Sequence, residues 1–263
     1  MRAYWAIFSA RFRMLLQYRA AAAAGFGTQL FWGLVRVMIF TAFYASTSAP
    51  QPMTLPEVIT YVWLGQALLA LLPWNVDLDI RDLVRSGNVA YELLRPLDLY
   101  TFWYVRAMAR RTAPALLRAA PMFLVAWLFF GLRPPAGVAS GAAWAASMVG
   151  ALLLGCALTN VMSISLLWTV SADGVIYLVP AAVVILSGMI IPLPLFPDWA
   201  QGVLNALPFR GLVDVPFRLY MGHIPPGQVF GLLAQQLTWT AALAALGYWL
   251  LRRGVRRLSV QGG

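Results

Sequence analysis

The chain has 263 residues, is 61% hydrophobic, and carries a net charge of +10, 19 arginines against nine carboxylates, with no lysine anywhere. That last fact excludes a phosphate-binding loop of the GxxxxGK[ST] kind, whose lysine must reach the terminal phosphates. With a single His223 and a single Cys156 the chain also excludes a zinc site of His and Cys ligands and an intrachain disulfide.

The arginines cluster in residues 1–19, 81–118 and 252–257, and the long stretches between them are almost free of charge. Roughly 20 apolar residues of helix cross a hydrocarbon core about 30 Å thick, so those stretches predict membrane crossings. At the N-terminus Tyr4, Trp5, Ile7, Phe8, Phe12, Leu15 and Leu16 alternate with Arg2, Arg11, Arg13 and Arg19. At 3.6 residues per turn this predicts an amphipathic helix over residues 1–20, lying at the inner interface. No short apolar core with a small-residue cleavage site precedes it, so a removable signal peptide is not expected.

The first crossing is expected near Gly25–Thr47, with Arg36 inside it, and the second over Val58–Val76. The third is Thr112–Leu132, provided Arg118 snorkels its guanidinium to the headgroups. Pro134–Ala172 is too long for one perpendicular helix and too short for two, which predicts one long fourth helix, Val138–Trp168. Asp173-Gly174 is then a turn, Val175–Pro192 the fifth crossing and Pro226–Leu251 the sixth. With the N-terminus inside, 15 arginines fall on the cytoplasmic side and only Arg133, Arg210 and Arg218 outside, so both ends are expected in the cytoplasm. The same clustering argues for anionic lipid as the partner of the positive charge and against nucleic acid.

None of the nine carboxylates lies deep in an expected span, which weighs against a transporter driven by an ion gradient. Five of them lie in the segment 77–98. There Asp77, Arg81 and Arg85 fall at i, i+4, i+8 and are able to pair along one side of a short helix, with Ile80, Leu83 and Val84 on the other. Ser86-Gly87-Asn88 ends that helix, and Tyr91 to Arg95 makes a further turn stopped by Pro96. Such an element, held just below the membrane, is suited to dock in a groove on a soluble partner. His223, in a Gly-His-Ile-Pro-Pro turn, reads as a polar loop residue.

Between the fifth and sixth crossings the chain is apolar, yet Pro192, Pro194, Pro197, Pro208 and Pro216 forbid a continuous helix. Broken backbone at membrane depth survives only under cover of protein or water, which predicts a re-entrant helical hairpin over 192–225 on the outer side, with Trp199 at the interface. Arg210, Asp214 and Arg218 are spaced to clip its second limb. In the fourth span, Ala143, Ser147, Ala151, Gly155, Thr159 and Ser163 form a small-residue stripe suited to close packing within the chain.

The inner helix after the second crossing, the run Gly87-Asn88-Val89-Ala90-Tyr91-Glu92-Leu93-Leu94-Arg95-Pro96-Leu97, and the outer pattern Pro192, Phe196, Pro197, Trp199, Pro208, Phe209 resemble permease subunits of bacterial type-two ABC exporters. The resemblance covers nearly the whole chain, a single transmembrane domain over 1–263. It implies an all-α inner-membrane permease of six crossings, paired with a second copy or a related permease. A separate cytoplasmic ABC ATPase would bind ATP and Mg and hydrolyse the nucleotide, so this chain would itself be no enzyme. The segment 77–98 would be the coupling element, with Asp77, Arg81, Asp82, Arg85, Tyr91, Glu92 and Arg95 as coupling residues. The transport path would run along the first, second and fifth spans, with Gln29, Trp32 and Arg36 as candidates on the first. Arg36 snorkels, pairs across a subunit interface, or meets an anionic substrate. The cargo would be amphipathic, lipid-like or drug-like, moved outward. Two other classes are an integral membrane enzyme acting on lipids, for which Asp77, Asp79 and Asp82 are the one candidate cluster, and an anchor that only recruits a soluble partner.

Overall fold

A computed structural model describes residues 2–168 and 173–256. It is all-helical, with about 80% helix and no strand among the described residues. Four helices are long and apolar enough to cross a membrane, and two shorter apolar helices, Leu55–Leu71 and Gly174–Leu186, fall below that length.

Helix α1 (Arg2–Leu16) is the expected amphipathic helix, but it does more than lie beside the chain: it packs along α6 (Leu99–Phe129). Tyr4 Oη accepts a hydrogen bond from Asp98 N at 3.0 Å, and Arg11 reaches Asp79 at 2.8 Å. Helix α2 (Arg19–Ser46) follows after a break at Gln17-Tyr18. Helix α3 (Leu55–Leu68) opens on a reciprocal cap, with Thr54 N and Oγ1 both donating to Glu57 and a proline in the first turn. His223 closes on the same carboxylate, Nε2 to Glu57 Oε1 at 2.8 Å, so the residue expected to be a plain loop histidine joins the start of α3 to the turn before the last helix.

The expected crossing Val58–Val76 is shorter as helix. α3 stops at Leu68, a 3-10 turn spans Leu69–Leu71, and the chain is extended at Leu72. Pro73 is the reason, because it disfavours helix at the residue before it and offers no amide. Nine residues of α3 are buried, including Tyr61, Trp63 and Gln66, so α3 is wrapped on its sides by the other helices.

Helix α4 (Leu78–Arg85) and the single turn α5 (Val89–Glu92) occupy the segment 77–98. Helix α6 begins at Leu99, capped by Asp98 from Thr101 N at 2.8 Å, thirteen residues before the expected start of the third crossing, and it carries Pro114 and Pro121 inside. Of the four long helices α7 (Val138–Ser165) is the most enclosed, and its stripe Ala143, Ser147, Ala151, Gly155, Thr159 and Ser163 is buried throughout. A Cβ at Gly155 would meet Leu71 O at 3.2 Å, so the stripe seats the broken end of α3. Helix α11 (Val229–Val255) also packs along α7, and its Gln236 amide donates to Ser147 O at 3.1 Å and Gly211 O at 2.7 Å. Asp173 and Gly174 open α8 (Asp173–Leu186) instead of making the expected turn. Residues 169–172 before them, and the C-terminal run 257–263, lie outside the described residues.

Between α8 and α11 the prolines produce two short helices, α9 (Asp198–Ala206) and α10 (Asp214–Met221), joined by a 3-10 turn over Pro208–Leu212. α10 is almost wholly buried, whereas α9 turns Trp199 outward, 84% exposed. Arg218 pairs with Asp214 at 3.6 Å, but Arg210 donates to Asn205 Oδ1 at 2.6 Å, so the expected three-residue clip closes by hydrogen bond and ion pair at one of its two ends.

Candidate functional site

Asp77 is the N-cap of α4, accepting from Asp79 N at 3.1 Å. Its carboxylate does not pair with Arg81 or Arg85. Instead it is buried and faces α6 and α1, with Arg106 at 2.9 Å, Arg110 at 3.4 Å and Arg11 at 3.7 Å. The reason is geometric: an N-cap residue has non-helical backbone, so the i, i+4 register does not extend to its side chain. Asp79 shares Arg11 and Arg106, each at 2.8 Å. Burial opposes ionisation of Asp79, but those two guanidiniums outweigh it and hold the carboxyl below its usual range. Arg81 has Asp82 at 3.7 Å instead.

Of the five remaining coupling candidates, Glu92 turns inward and Asp82, Arg85, Tyr91 and Arg95 turn outward. Glu92 is buried, with Arg95 at 3.3 Å, and Arg95 and Arg106 both lie against the Phe102 ring, at 5.6 and 5.7 Å from its centroid. Asp82, Arg85 and Tyr91 are exposed, Tyr91 by 70%, and Leu94 beside them by 81%. Buried Ile80 and Val89 pin this element to the Leu99, Phe102 and Trp103 face of α6. The result is a small rigid tip with an apolar and cationic outer face. Asp98 ties its far end, accepting from Thr101 and from the Tyr248 hydroxyl. Burial raises its pKa, but these bonds and Arg252 bring it below the usual carboxylate range.

Gln29, Trp32 and Arg36 of α2, spaced i, i+3, i+7, share one cavity of about 810 Å³. α3 and its 3-10 turn add Gln66 and Leu69, and α8 with the residues after it adds Val184, Met189, Ile190 and Ile191. The walls are apolar apart from a few groups, chiefly Gln29, Gln66 and Arg36, and the side-chain oxygens of both glutamines are buried without a hydrogen-bond partner. Within the chain, Arg36 donates to Ile190 O at 2.7 Å. α8 has ended there and Pro194, four residues on, brings no amide, so a backbone carbonyl freed by the break is satisfied by the charged side chain. Its Nε remains buried without a partner.

Of the outer-pattern residues, Pro192 and Pro208 are buried, Phe196 and Phe209 half-buried, and Pro197 and Trp199 exposed. They surround the 3-10 turns and do not enter the cavity, whose contact with this segment is Leu195.

Sequence reasoning missed Arg111, buried within α6 and donating to Leu71 O at 3.2 Å, to Leu72 O and to Thr159 Oγ1. It holds the carbonyls that the break in α3 releases. The available signal was Pro73, which guarantees such carbonyls, one helix away from an arginine.

A family model described as ABC-2 family transporter protein matches residues 30–262, which includes the cavity residues Trp32 and Arg36 and the whole segment 77–98. No curated protein matches the chain.

Proposed function

The chain belongs to the ABC-2 transporter family, and we propose that it is the permease subunit of an ATP-driven exporter that moves an amphipathic substrate outward across a bacterial cytoplasmic membrane. It is a multi-pass membrane protein of a family whose members are membrane components of transporters and are not themselves catalytic. In this reading the two short apolar helices α3 and α8 complete six crossings, residues 192–225 form a re-entrant hairpin on the outer side, and both termini face the cytoplasm. ATP and Mg belong to a separate ATPase, and a second permease, identical or related, completes the path.

The observation that carries the proposal is the exposed tip formed by Asp82, Arg85, Tyr91, Leu94 and Arg95, held by buried Ile80, Val89 and Glu92. A soluble partner gripping that tip moves the base of α6 through Asp77 and Arg106, and the broken end of α3 through Arg111. Asp77 and Glu92 act as positioning residues in this scheme, and the outward-facing residues make the contact. The cavity along α2, α3 and α8 is the substrate path, apolar enough for chains or rings and polar at Gln29, Gln66 and Arg36. A lipid-modifying enzyme is disfavoured, because Asp77 and Asp79 of its one candidate cluster are both closed by arginines.

The test is purification of the chain with the ATPase that co-elutes with it. Tyr91→Ala combined with Leu94→Ala leaves the fold intact and removes substrate-stimulated ATP hydrolysis; unchanged stimulation refutes the coupling role. A chain that anchors a partner without transport shows no stimulation in the wild type.

A further inference from the structure

Trp74 is shared by two cavities. The smaller one, about 270 Å³, brings together Arg110, Arg111 and Arg118 with Asn75 and Thr159, and no carboxylate lines it among the described residues. The three guanidiniums are not equivalent. Arg110 is compensated, with Asp77 at 3.4 Å and Asn75 Oδ1 at 3.3 Å. Arg111 bonds two backbone carbonyls and a hydroxyl, which satisfy hydrogen bonds but leave its charge without an anion, and its Nε has no partner. Arg118, expected to run free to the headgroups, turns onto α2, into the space left by the missing side chain of Gly25, and its Nε is likewise buried without a partner.

Arg111 and Arg118, seven residues apart, lie on one face of α6, about 10 Å from each other along its axis. Two cations in a confined place, Arg111 bonded to neutral groups only and neither facing a carboxylate of the cavity, are costly unless an anion neutralises them. The remaining wall is apolar, formed by Leu15, Ala70, Leu72 and Pro114.

We propose that this cavity binds the anionic headgroup, phosphate or carboxylate, of an amphiphile whose chain lies along that apolar wall. The site stands on the geometry alone. Its use as the place where cargo is loaded from the inner leaflet before passing Trp74 rests on the permease reading above.

The experiment uses the full chain in neutral maltoside detergent, without any ATPase, and measures binding of decyl phosphate, decanol and inorganic phosphate. Decyl phosphate binds at least about tenfold more tightly than decanol, as expected for one or two charge-assisted hydrogen bonds. Arg118→Gln removes about tenfold of the decyl phosphate affinity and leaves decanol unchanged, and Arg118→Lys restores part of the loss. Equal binding of decyl phosphate and decanol by the wild type overturns the proposal, with no variant needed. So does an Arg118→Gln chain that folds and binds decyl phosphate like the wild type. Inorganic phosphate binding as tightly as decyl phosphate overturns the amphiphile as source. Failure of the permease reading appears elsewhere, as absence of an ATPase partner, and leaves these binding results untouched.

Discussion

Arg106 holds a single oxygen of Asp77 with two nitrogens, Nε at 3.1 Å and Nη2 at 2.9 Å, and so fixes the N-cap of α4 to the N-terminal part of α6. Removing one partner leaves the other with its remaining counter-charges, Asp77 with Arg110 and Arg11 and Arg106 with Asp79, so the loss is that of a charged hydrogen bond, about 1.5–3 kcal/mol. Arg106→Gln and Asp77→Asn are each expected to raise amide exchange across residues 78–92. Because the two residues share one interaction, the double variant should cost clearly less than the two single effects added. Simple additivity would show that the contact carries no energy.

Asp79 and Asp98 set the pH range of this assembly. Each carboxyl is ionised more readily folded than free, Asp79 through Arg11 and Arg106, Asp98 through Thr101 and Tyr248. A depressed folded pKa adds stability that is fully present above the ordinary value, 3.8, and lost as pH falls through the lower folded one. Docking of α1 on α6 should therefore be constant from pH 8 to about 5 and loosen only below the ordinary aspartate range. A label on Trp5 substituted by cysteine, with Cys156 replaced by alanine, reports it. Release of α1 near neutral pH would contradict the assignment of Arg11 as its anchor.

Arg36→Leu removes the donor to Ile190 O and the one charge in the larger cavity. The complex should assemble with some loss of thermal stability, on the order of 1–3 kcal/mol for an unsatisfied buried carbonyl, and transport should be abolished. Wild-type transport by this variant would remove Arg36 from the substrate path.

What the sequence made legible follows from which signals are local. Gln29, Trp32 and Arg36 share a helix face by spacing alone, and the structure does bring them to one cavity. Helix α6 starts thirteen residues before the expected third crossing, and the arginines of that stretch are not left to solvent: Arg106 and Arg111 are spent on Asp77 and on the carbonyls of Leu71 and Leu72. Adjacent Arg110 and Arg111 look identical in sequence; the 100° step between them on the helix decides that one meets a carboxylate and the other a broken backbone. The shortening of α3 was available in Pro73 but hidden by the apolar residues around it.

Packing of α2 on α3 offers the last test. A Cβ on Gly33 would stand 2.4 Å from the Trp63 ring, which is fully buried and fixed by its Nε1 hydrogen bond to Phe130 O at 3.0 Å, so the ring has little freedom to give way. Gly33→Ala should therefore cost about 1–3 kcal/mol through overpacking, against the roughly 1 kcal/mol that alanine normally gains over glycine inside a helix. Gly27, on the same helix with nothing within 4 Å of its Cβ position, supplies the control: Gly27→Ala should hold or raise the melting temperature. If both substitutions shift melting alike in detergent, α2 does not press on Trp63 at Gly33, and the wall of the cavity built from α2 and α3 is placed differently from the arrangement described.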